Sequence, residues 1–226
     1  MSTKNNICFF VVSVIQPHSS MPFTYGCRSI FSVSERKEQT LKTVQSIKQH
    51  YPQADIIFIE GGATSDNGIK KTVTKYFHIG NNPIIKRAVN NRSKAWGELI
   101  LTASTMFTWF KYNYVFKLSG RYWLNGNVDY QKFTDEKNRI TGLDIYKDRS
   151  QISTRLIGIP KSCYFRFLYA LVRRIWKVPN SNTVYVAYLL KGLTLKSIRF
   201  IPKIGVSGLT GVTNELIEEY YSSIAI

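Results

Sequence analysis

The side chains that could do chemistry in this chain are mostly cations. Its 226 residues include 31 lysines and arginines but only 14 aspartates and glutamates, which gives a formal net charge of +17. A charge excess of this size implies an anionic partner, and nucleic acid, anionic lipid head groups and phosphorylated small molecules all satisfy it. The shortage of carboxylates also means that any general base or carboxylate metal ligand comes from a small set of residues.

The familiar sequence motifs of phosphate binding and hydrolysis are missing. The chain has neither a Walker-type phosphate loop nor a glycine-rich dinucleotide fingerprint after its first apolar segment, which argues against kinases, P-loop enzymes and dinucleotide enzymes. A G-x-S-x-G motif is absent, and His18, His50 and His78 stand in separate segments, so a hydrolase triad is not indicated. The three cysteines lack metal-ligand spacing and fit reduced thiols in a reducing compartment.

The elements that position the remaining candidates begin with a strand, a helix and a strand. Residues 7–12 are an unbroken apolar run that extends past Ser13 to Ile15. The segment is rich in β-branched and aromatic side chains without alternation, which predicts a strand buried on both faces. A capping box starting at Ser32 and apolar residues at helical spacing predict a helix over 34–50, and residues 54–60 predict the second strand. This order favours a parallel sheet.

A second predicted helix and a further predicted strand precede a polar tripeptide at 119–121. The polar stretch before Arg92 contributes at most an edge strand at 77–79, and apolar residues from Ser93 to Phe110 predict a largely buried helix. Residues 112–118 predict a strand that ends in Ser-Gly-Arg at 119–121. Ligands of such sheets bind at the carboxyl ends of the strands, so this tripeptide is a candidate for the site.

The last hundred residues predict strands and helices without a linker or repeat. The predicted segments are strands at 138–146, 152–159 and 197–206, and helices at 162–177 and 183–191. We therefore expect a single three-layer α/β/α domain over 1–226 with a mainly parallel central sheet, whose Rossmann-like half (about 1–125) binds a nucleotide and whose second half (about 126–226) binds an acceptor. The sequence shows neither a membrane-spanning apolar stretch nor a signal peptide, which predicts a cytoplasmic protein.

In the order of these features the chain resembles the GT-A class of nucleotide-sugar glycosyltransferases, especially divergent members from polysaccharide loci and large viruses. The resemblance starts at the first strand and continues through three segments, at 34–40 (Ser-Glu-Arg-Lys-Glu-Gln-Thr), 53–60 (Gln-Ala-Asp-Ile-Ile-Phe-Ile-Glu) and 91–98 (Asn-Arg-Ser-Lys-Ala-Trp-Gly-Glu). It culminates in 114–124 (Tyr-Val-Phe-Lys-Leu-Ser-Gly-Arg-Tyr-Trp-Leu). It covers roughly 7–125 and is one of pattern and order.

The resemblance implies a nucleotide-sugar donor and a glycan or lipid-linked acceptor. In the family, a strand in the position of 114–124 ends in an Asp-x-Asp motif that holds a divalent metal on the donor diphosphate. Here Ser119, Gly120 and Arg121 stand in its place, so we expect neither a metal nor another cofactor. Cations can meet the charge that grows on the leaving diphosphate, and Arg121, with Lys117 or Lys94, is the candidate for this role.

The resemblance also assigns further donor-binding residues. Glu60 stands where the family often places an acid against the base or ribose, and Arg36 stands near the expected nucleotide pocket. The N-terminus of the helix that carries Lys94, Gly97 and Glu98 offers backbone N–H groups and a positive dipole to an anion. Each charged candidate also has a structural alternative, which is a solvated strand end, a first-turn residue or a helix-face charge.

A transferase that inverts the anomeric centre needs a base for the acceptor hydroxyl. Among Asp129, Asp144 and Asp148 we favour Asp144, because it lies inside a predicted strand and must face a cleft or a partner. A glycine-rich segment at 203–211 has two interpretations, a loop that closes over the diphosphate and a simple turn.

The predicted helix over 162–177 carries arginines on one face, flanked by aromatic residues. This pattern suits contact with an anionic membrane near a membrane-bound acceptor, and a core-packed helix with a solvated charged face is the alternative. Two other functions compete with the transferase. A basic nucleic-acid-binding module is less favoured because the sequence has no recognised motif, and a sugar nucleotidyltransferase because it has no glycine-rich signature or metal carboxylates.

Overall fold

The computed structural model shows a seven-stranded sheet covered by helices. It describes residues 6–18, 29–91, 94–127, 129, 133–143, 152–175, 195–201, 204–209 and 216–218. The strands are β1 (Ile7–Ser13), β2 (Asp55–Glu60), β3 (Lys75–His78), β4 (Tyr114–Ser119), β5 (Tyr122–Leu124), β6 (Ile140–Leu143), β7 (Leu156–Pro160), β8 (Ile198–Ile201), β9 (Val206–Leu209) and β10 (Leu216–Glu218). The α-helices are α1 (Val33–His50), α2 (Asn67–Lys70), α3 (Pro83–Val89), α4 (Lys94–Thr105) and α5 (Tyr164–Ile175).

The central sheet has the strand order β3-β2-β1-β4-β7-β6-β8. Strand β7 is antiparallel to both of its neighbours, and the other strands of this sheet run parallel to one another. The prediction of an α/β fold with a mainly parallel sheet is therefore confirmed. Strands β6, β7 and β8 come from the second half of the chain and extend the sheet of the first half, while the division into donor and acceptor halves stays a prediction.

The two faces of this sheet pack against different layers. Along β1, Phe10 and Val12 point into an apolar cluster with α4, the following 3-10 helix and α5. Phe9 and Val11 point the opposite way, into a cluster with α1 and with a small sheet of the order β10-β9-β5. Both faces of β1 are apolar because both are buried, as the unbroken apolar run predicts.

Helix α1 begins where the sequence predicts. The Ser32 side chain accepts a hydrogen bond from the Glu35 backbone N–H at 3.3 Å, and the Glu35 carboxylate accepts from the Ser32 N–H at 2.7 Å. These two bonds satisfy donors that a helix terminus otherwise leaves without partners. The capping box thereby fixes how the chain enters α1 from the end of β1.

Several predicted elements need correction. The polar stretch after β2 contains the short helices α2 and α3, which the sequence analysis missed, and the helix predicted to reach Phe110 changes to a 3-10 helix at Met106–Trp109. The segment predicted as a glycine-rich loop contains β9, which pairs with β5 and β10, so a loop is wrong for Val206–Leu209. The helix predicted at 183–191 lies outside the described residues.

Candidate functional site

A cavity lies at the carboxyl ends of β1 and β4. These two strands are neighbours in the sheet and run parallel. Strands β2 and β3 lie on one side of β1, whereas β4, the next strand of this sheet along the chain, lies on the other side, so the strand order reverses at β1. Such a reversal of strand order opens a crevice in which doubly wound sheets bind their ligands. The cavity has a volume of about 190 Å³ and is lined by the ends of both strands, by Ser29 and Arg36, and by the first turns of α4.

Arg121 enters this cavity directly after β4. The preceding Gly120 donates its N–H to the carbonyl of Val12 at 2.9 Å, and a Cβ at Gly120 would lie 2.8 Å from the Cβ of Ser13. Only glycine therefore lets the turn approach β1 this closely. The Arg121 guanidinium donates from Nη1 to the Ser29 hydroxyl at 3.0 Å. Burial lowers the pKa of Arg121, but a guanidinium remains charged at neutral pH.

Arg36 lines the same cavity from the first turns of α1. Its guanidinium donates to three backbone carbonyls, from Nε to Phe31 at 3.0 Å, from Nη1 to Val14 at 3.1 Å and from Nη2 to Ser29 at 3.3 Å. It thus fastens the chain that carries Ser29 to the end of β1. Its charge adds to that of Arg121 on the same side of the cavity.

A carboxylate on α4 faces the cavity. The Glu98 side chain is 24% exposed, and its Oε1 accepts a hydrogen bond from the Ser119 hydroxyl at 3.2 Å and contacts the ammonium of Lys117. Lys117 lies inside β4 and is almost completely buried, and it also donates to Ser119 Oγ at 3.1 Å and to the Thr154 carbonyl at 2.8 Å. Lys117 therefore lies behind Glu98 and does not line the cavity.

Burial lowers the pKa of Lys117 to about 7, because an ammonium loses hydration inside the sheet. The adjacent Glu98 carboxylate acts in the opposite direction and favours the charged form. The ammonium has three protons and three oxygen partners, so its hydrogen-bonding capacity is satisfied. We therefore treat Glu98 and Lys117 as an ion pair whose net charge is close to zero.

Glu60 is placed differently from its predicted role. Its exposed fraction is zero, and it does not line the cavity. Its Oε1 accepts hydrogen bonds from the Gly62 N–H at 2.6 Å and the Ile15 N–H at 3.1 Å, while its Oε2 has no hydrogen-bond partner among the described residues. Burial raises the pKa of Glu60 to about 8. In this structure the carboxyl group connects the ends of β1 and β2, and no ligand can reach it without a rearrangement.

The remaining predicted residues fall into three groups. Gly97 lines the cavity, and its glycine identity is explained by α3, since a Cβ would lie 3.0 Å from the Cα of Val89. Lys94 is the first residue of α4, but its side chain lies outside the described part. Asp144, the predicted base, and Asp148 also lie outside the described residues, and Asp129 is exposed and away from the cavity lining.

The residues at the end of β4 do not fit a divalent metal ion. Magnesium and manganese prefer carboxylate and other oxygen ligands, whereas 119–121 offers one hydroxyl, a glycine and a cation. In the part of the chain that the structure describes, no group of three or more His, Cys, Asp or Glu side chains could hold a metal. The donor set at this strand end is thus suited to an anion.

Sequence reasoning missed Ser13 and Ser29 as residues of the cavity. Ser13 is the last residue of β1, so the rule that ligands bind at strand ends was a usable signal. Ser29 follows a segment without secondary-structure signals, and nothing in the sequence indicates that it contacts Arg121. The assignment of Glu98 to the cavity, which the sequence left open, comes from the structure alone.

Comparison with solved structures identifies the fold. Over 89% of its length the chain superposes on 40% of the apo WbbM bifunctional glycosyltransferase, with a TM-score of 0.53 and 7% identity. It also resembles a glycosyltransferase involved in the glycosylation of the major capsid of PBCV-1, with a TM-score of 0.49, 7% identity and coverage of 88% of this chain and 83% of that one. A nucleoside-diphosphate-sugar pyrophosphorylase from Vibrio cholerae gives a TM-score of 0.48, 12% identity, and coverage of 90% and 96%.

At these identities the comparisons bear on the fold, and the chain adopts the α/β fold of GT-A glycosyltransferases. It spans less than half the length of the WbbM protein. No protein-family model and no curated protein sequence matches the chain.

Proposed function

We propose that this protein is a glycosyltransferase that takes a sugar from a nucleotide-sugar donor and transfers it to a glycan or lipid-linked acceptor. The observation that supports this most strongly is the cavity at the strand-order reversal, where Arg36 and Arg121 place two positive charges beside the carboxyl ends of β1 and β4. A donor diphosphate is an anion of matching charge, and its sugar and nucleoside would extend to either side. The GT-A fold is consistent with this use of the cavity.

Arg121 is the proposed catalytic cation. When the bond between sugar and diphosphate breaks, negative charge grows on the leaving phosphate oxygens, and a fixed guanidinium stabilises that charge. Its contact with Ser29 and the close packing of Gly120 on Ser13 hold it in place before the reaction. Because residues 119–121 carry no carboxylate and Glu98 is the single acidic side chain in the described lining of the cavity, we propose that donor binding needs no divalent metal. Asp144 remains our proposed base for the acceptor hydroxyl.

The test is ligand binding with and without metal. We would measure thermal shifts with UDP-, GDP-, CMP- and dTDP-sugars, in manganese and in EDTA, because a ligand that binds the folded state raises the melting temperature. We expect one nucleotide class to stabilise the protein equally in both buffers. Tightening of at least tenfold by manganese, about 1.4 kcal/mol, would show that a carboxylate metal site contributes.

Arg121→Gln tests the role of the cation. We expect it to weaken binding of the nucleoside diphosphate and to lower turnover far more than it lowers stability. The matched control is Lys48→Gln, since Lys48 is an exposed cation near the opposite end of α1 from Arg36. If the two variants bind the nucleotide equally well, Arg121 has no part in the site. Stabilisation by oligonucleotides alone would instead favour the nucleic-acid-binding alternative.

The acceptor side of the proposal concerns the outer face of α5. Phe165, Tyr169 and Val172 form an apolar stripe along this helix, and Phe165 and Tyr169 are 73% and 58% exposed. Phe110, which directly follows the 3-10 helix after α4, packs on Phe165 with ring centroids 5.4 Å apart and is itself exposed. Most large aromatic side chains of a monomer are covered, so an exposed cluster of this kind indicates an interaction surface.

The charges around this stripe favour an anionic lipid surface as its partner. Arg166 and Arg173 are exposed on the same helix, and the Arg173 guanidinium lies over the Tyr169 ring at 5.6 Å. Aromatic rings beside arginines suit the boundary where phosphate head groups meet acyl chains. The inner face of α5 shares a small cavity with Glu98, so a docked helix would bring the proposed site near a membrane-bound acceptor. Among the described helices, none is both long and apolar enough to span a bilayer.

Co-sedimentation with liposomes tests this contact. Binding should increase with the phosphatidylglycerol content and fall with salt, because each cation near an anionic surface contributes about 1 kcal/mol. The double variant Arg166→Gln/Arg173→Gln should lose most of the binding, whereas Lys48→Gln/Lys70→Gln, on the opposite face of the sheet, should retain it. Equal binding by both double variants would exclude α5 as the contact.

A further inference from the structure

Lys117 is an unusual residue for its place in the fold. It lies in β4, between β1 and β7, and only 3% of its surface is exposed. A lysine inside a central strand is costly to bury unless its charge is paired. The partner here is Glu98, and Glu98 also lines the cavity, so the pair connects the interior of the sheet with the candidate site.

The contacts of this pair fix the position of one carboxylate oxygen. Lys117 and Ser119, which lie on the same face of β4, both donate to Oε1 of Glu98. Among the described residues, Oε2 accepts no hydrogen bond, and the side chain retains 24% of its exposure. Glu98 therefore offers the cavity an acceptor that is held by two donors from behind and does not need to reorganise when a ligand arrives.

The cavity consequently has two chemically different sides. Arg36, near the start of α1, and Arg121, directly after β4, form a cationic side of the cavity. Glu98, in the first turns of α4, forms a side that accepts hydrogen bonds. A phosphate group is attracted to the guanidinium groups. The Glu98–Lys117 pair is nearly neutral as a whole, but its carboxylate is the end that faces the cavity, and this end repels a phosphate group and offers it no donor. Hydroxyl groups of a sugar, in contrast, donate strong hydrogen bonds to a carboxylate.

We infer that Glu98 binds hydroxyl groups of the sugar that is transferred and selects uncharged sugars over sugars that carry a carboxylate. The inference rests on the proposed function, since it takes the ligand to be a nucleotide-sugar with its diphosphate on the arginine side. Lys117 is a positioning residue in this scheme, because it acts on the ligand only through Glu98. A uronic acid donor would place a second carboxylate beside Glu98 and would bind more weakly.

Isothermal titration calorimetry separates the sugar from the nucleotide. For the nucleotide that binds, we would compare the free nucleoside diphosphate with its neutral sugar conjugate and its uronic acid conjugate, such as UDP, UDP-glucose and UDP-glucuronate. In the unaltered protein the neutral conjugate should bind at least tenfold more tightly than the uronate. In Glu98→Gln the Kd of the neutral conjugate should rise about tenfold, or about 1.4 kcal/mol, while the Kd of the free diphosphate should stay the same or fall.

Two further variants keep the test decisive. Glu98→Gln leaves the Lys117 ammonium without its counter-charge, so Glu98→Gln/Lys117→Met, which removes both charges, repeats the measurement in a protein without that burial cost. Glu98→Gln and Glu98→Gln/Lys117→Met should both lose the preference against the uronate. The control variant Glu38→Gln, at an exposed site of α1, should retain this preference. Equal weakening of diphosphate and conjugate, or an unchanged preference, would overturn the role of Glu98. Absence of any nucleotide binding in the unaltered protein would overturn the proposed function itself.

Discussion

The buried carboxyl group of Glu60 makes the stability of this protein dependent on pH in a predictable direction. Glu60 is completely covered, and its pKa is raised from 4.5 to about 8 by burial. Between these values the unfolded chain has lost the proton while the folded chain keeps it. The folded state therefore binds more protons, and the free energy of unfolding falls as the pH rises from about 4.5 to 8.

The size of the effect follows from the same two values. The difference is about 3.5 pH units at about 1.36 kcal/mol per unit, so folding becomes less favourable by roughly 5 kcal/mol across the window. Glu60→Gln resembles the protonated side chain and can still accept hydrogen bonds from Ile15 and Gly62, yet it does not titrate. At pH 5 this variant should be about as stable as the unaltered protein, and at pH 8 it should be more stable by several kcal/mol.

Urea denaturation at pH 5, 6, 7 and 8 measures this difference. His18, whose pKa is lowered by burial, contributes a slope of opposite sign, but it does so in both proteins and cancels when they are compared. Glu38→Gln is the control, since it removes an exposed carboxyl group from α1 and should leave the slope unchanged. A constant stability difference between Glu60→Gln and the unaltered protein from pH 5 to pH 8 would refute the argument that burial governs this carboxyl group.

Three further substitutions test how the cavity is built. Gly120→Ala places a Cβ 2.8 Å from Ser13, so urea denaturation should show a loss of about 1–3 kcal/mol, and calorimetry should show weaker nucleotide binding. Ser32→Ala removes the cap of α1 and should cost about 1 kcal/mol, seen as a lower melting temperature. Trp109→Ala empties a fully buried site beneath α5 and should cost about 3–5 kcal/mol by the same denaturation assay. A cost below 0.5 kcal/mol in any of the three would contradict the packing or the hydrogen bonds described.

The parts of the fold that the sequence predicted are those with local signals. Strand β1 is a continuous apolar run, and the capping box at Ser32 marks the start of α1, so the strand–helix–strand unit follows from neighbouring residues alone. The small sheet has no such signal, because β5 is three residues long and β9 contains Gly208. That glycine reflects a distant contact, since a Cβ there would lie 2.3 Å from the ring of Tyr122.

In the candidate site, too, some features follow from local sequence signals and others depend on residues that are distant in the chain. Arg121, Gly120 and Ser119 line the cavity because they follow a strand, and strand ends can be located from the sequence. Lys117 is two residues away, yet its side chain is committed to Glu98, which is 19 residues earlier on α4. Glu60 also ends a strand, but its carboxyl group turns inward to the backbone of Ile15. Which way a polar side chain turns depends on partners that are distant in the chain.

The presence of Ser119, Gly120 and Arg121, and of no carboxylate, at positions 119–121 has a physical consequence for how a diphosphate would be held. A metal ion brings charge to a site only while it is bound. A chelator that withdraws the ion therefore also removes this charge from the site. Arg36 and Arg121 are covalently part of the chain, and the Glu98–Lys117 pair adds almost no net charge of its own. The cavity therefore keeps its positive charge in EDTA, while added salt screens it with a Debye length that shortens from about 10 Å at 0.1 M to about 3 Å at 1 M. Affinity for a nucleoside diphosphate should accordingly fall as the ionic strength rises, because salt screens the charge of the guanidinium groups. The same affinity should not change when a chelator is added, because a chelator cannot remove these groups.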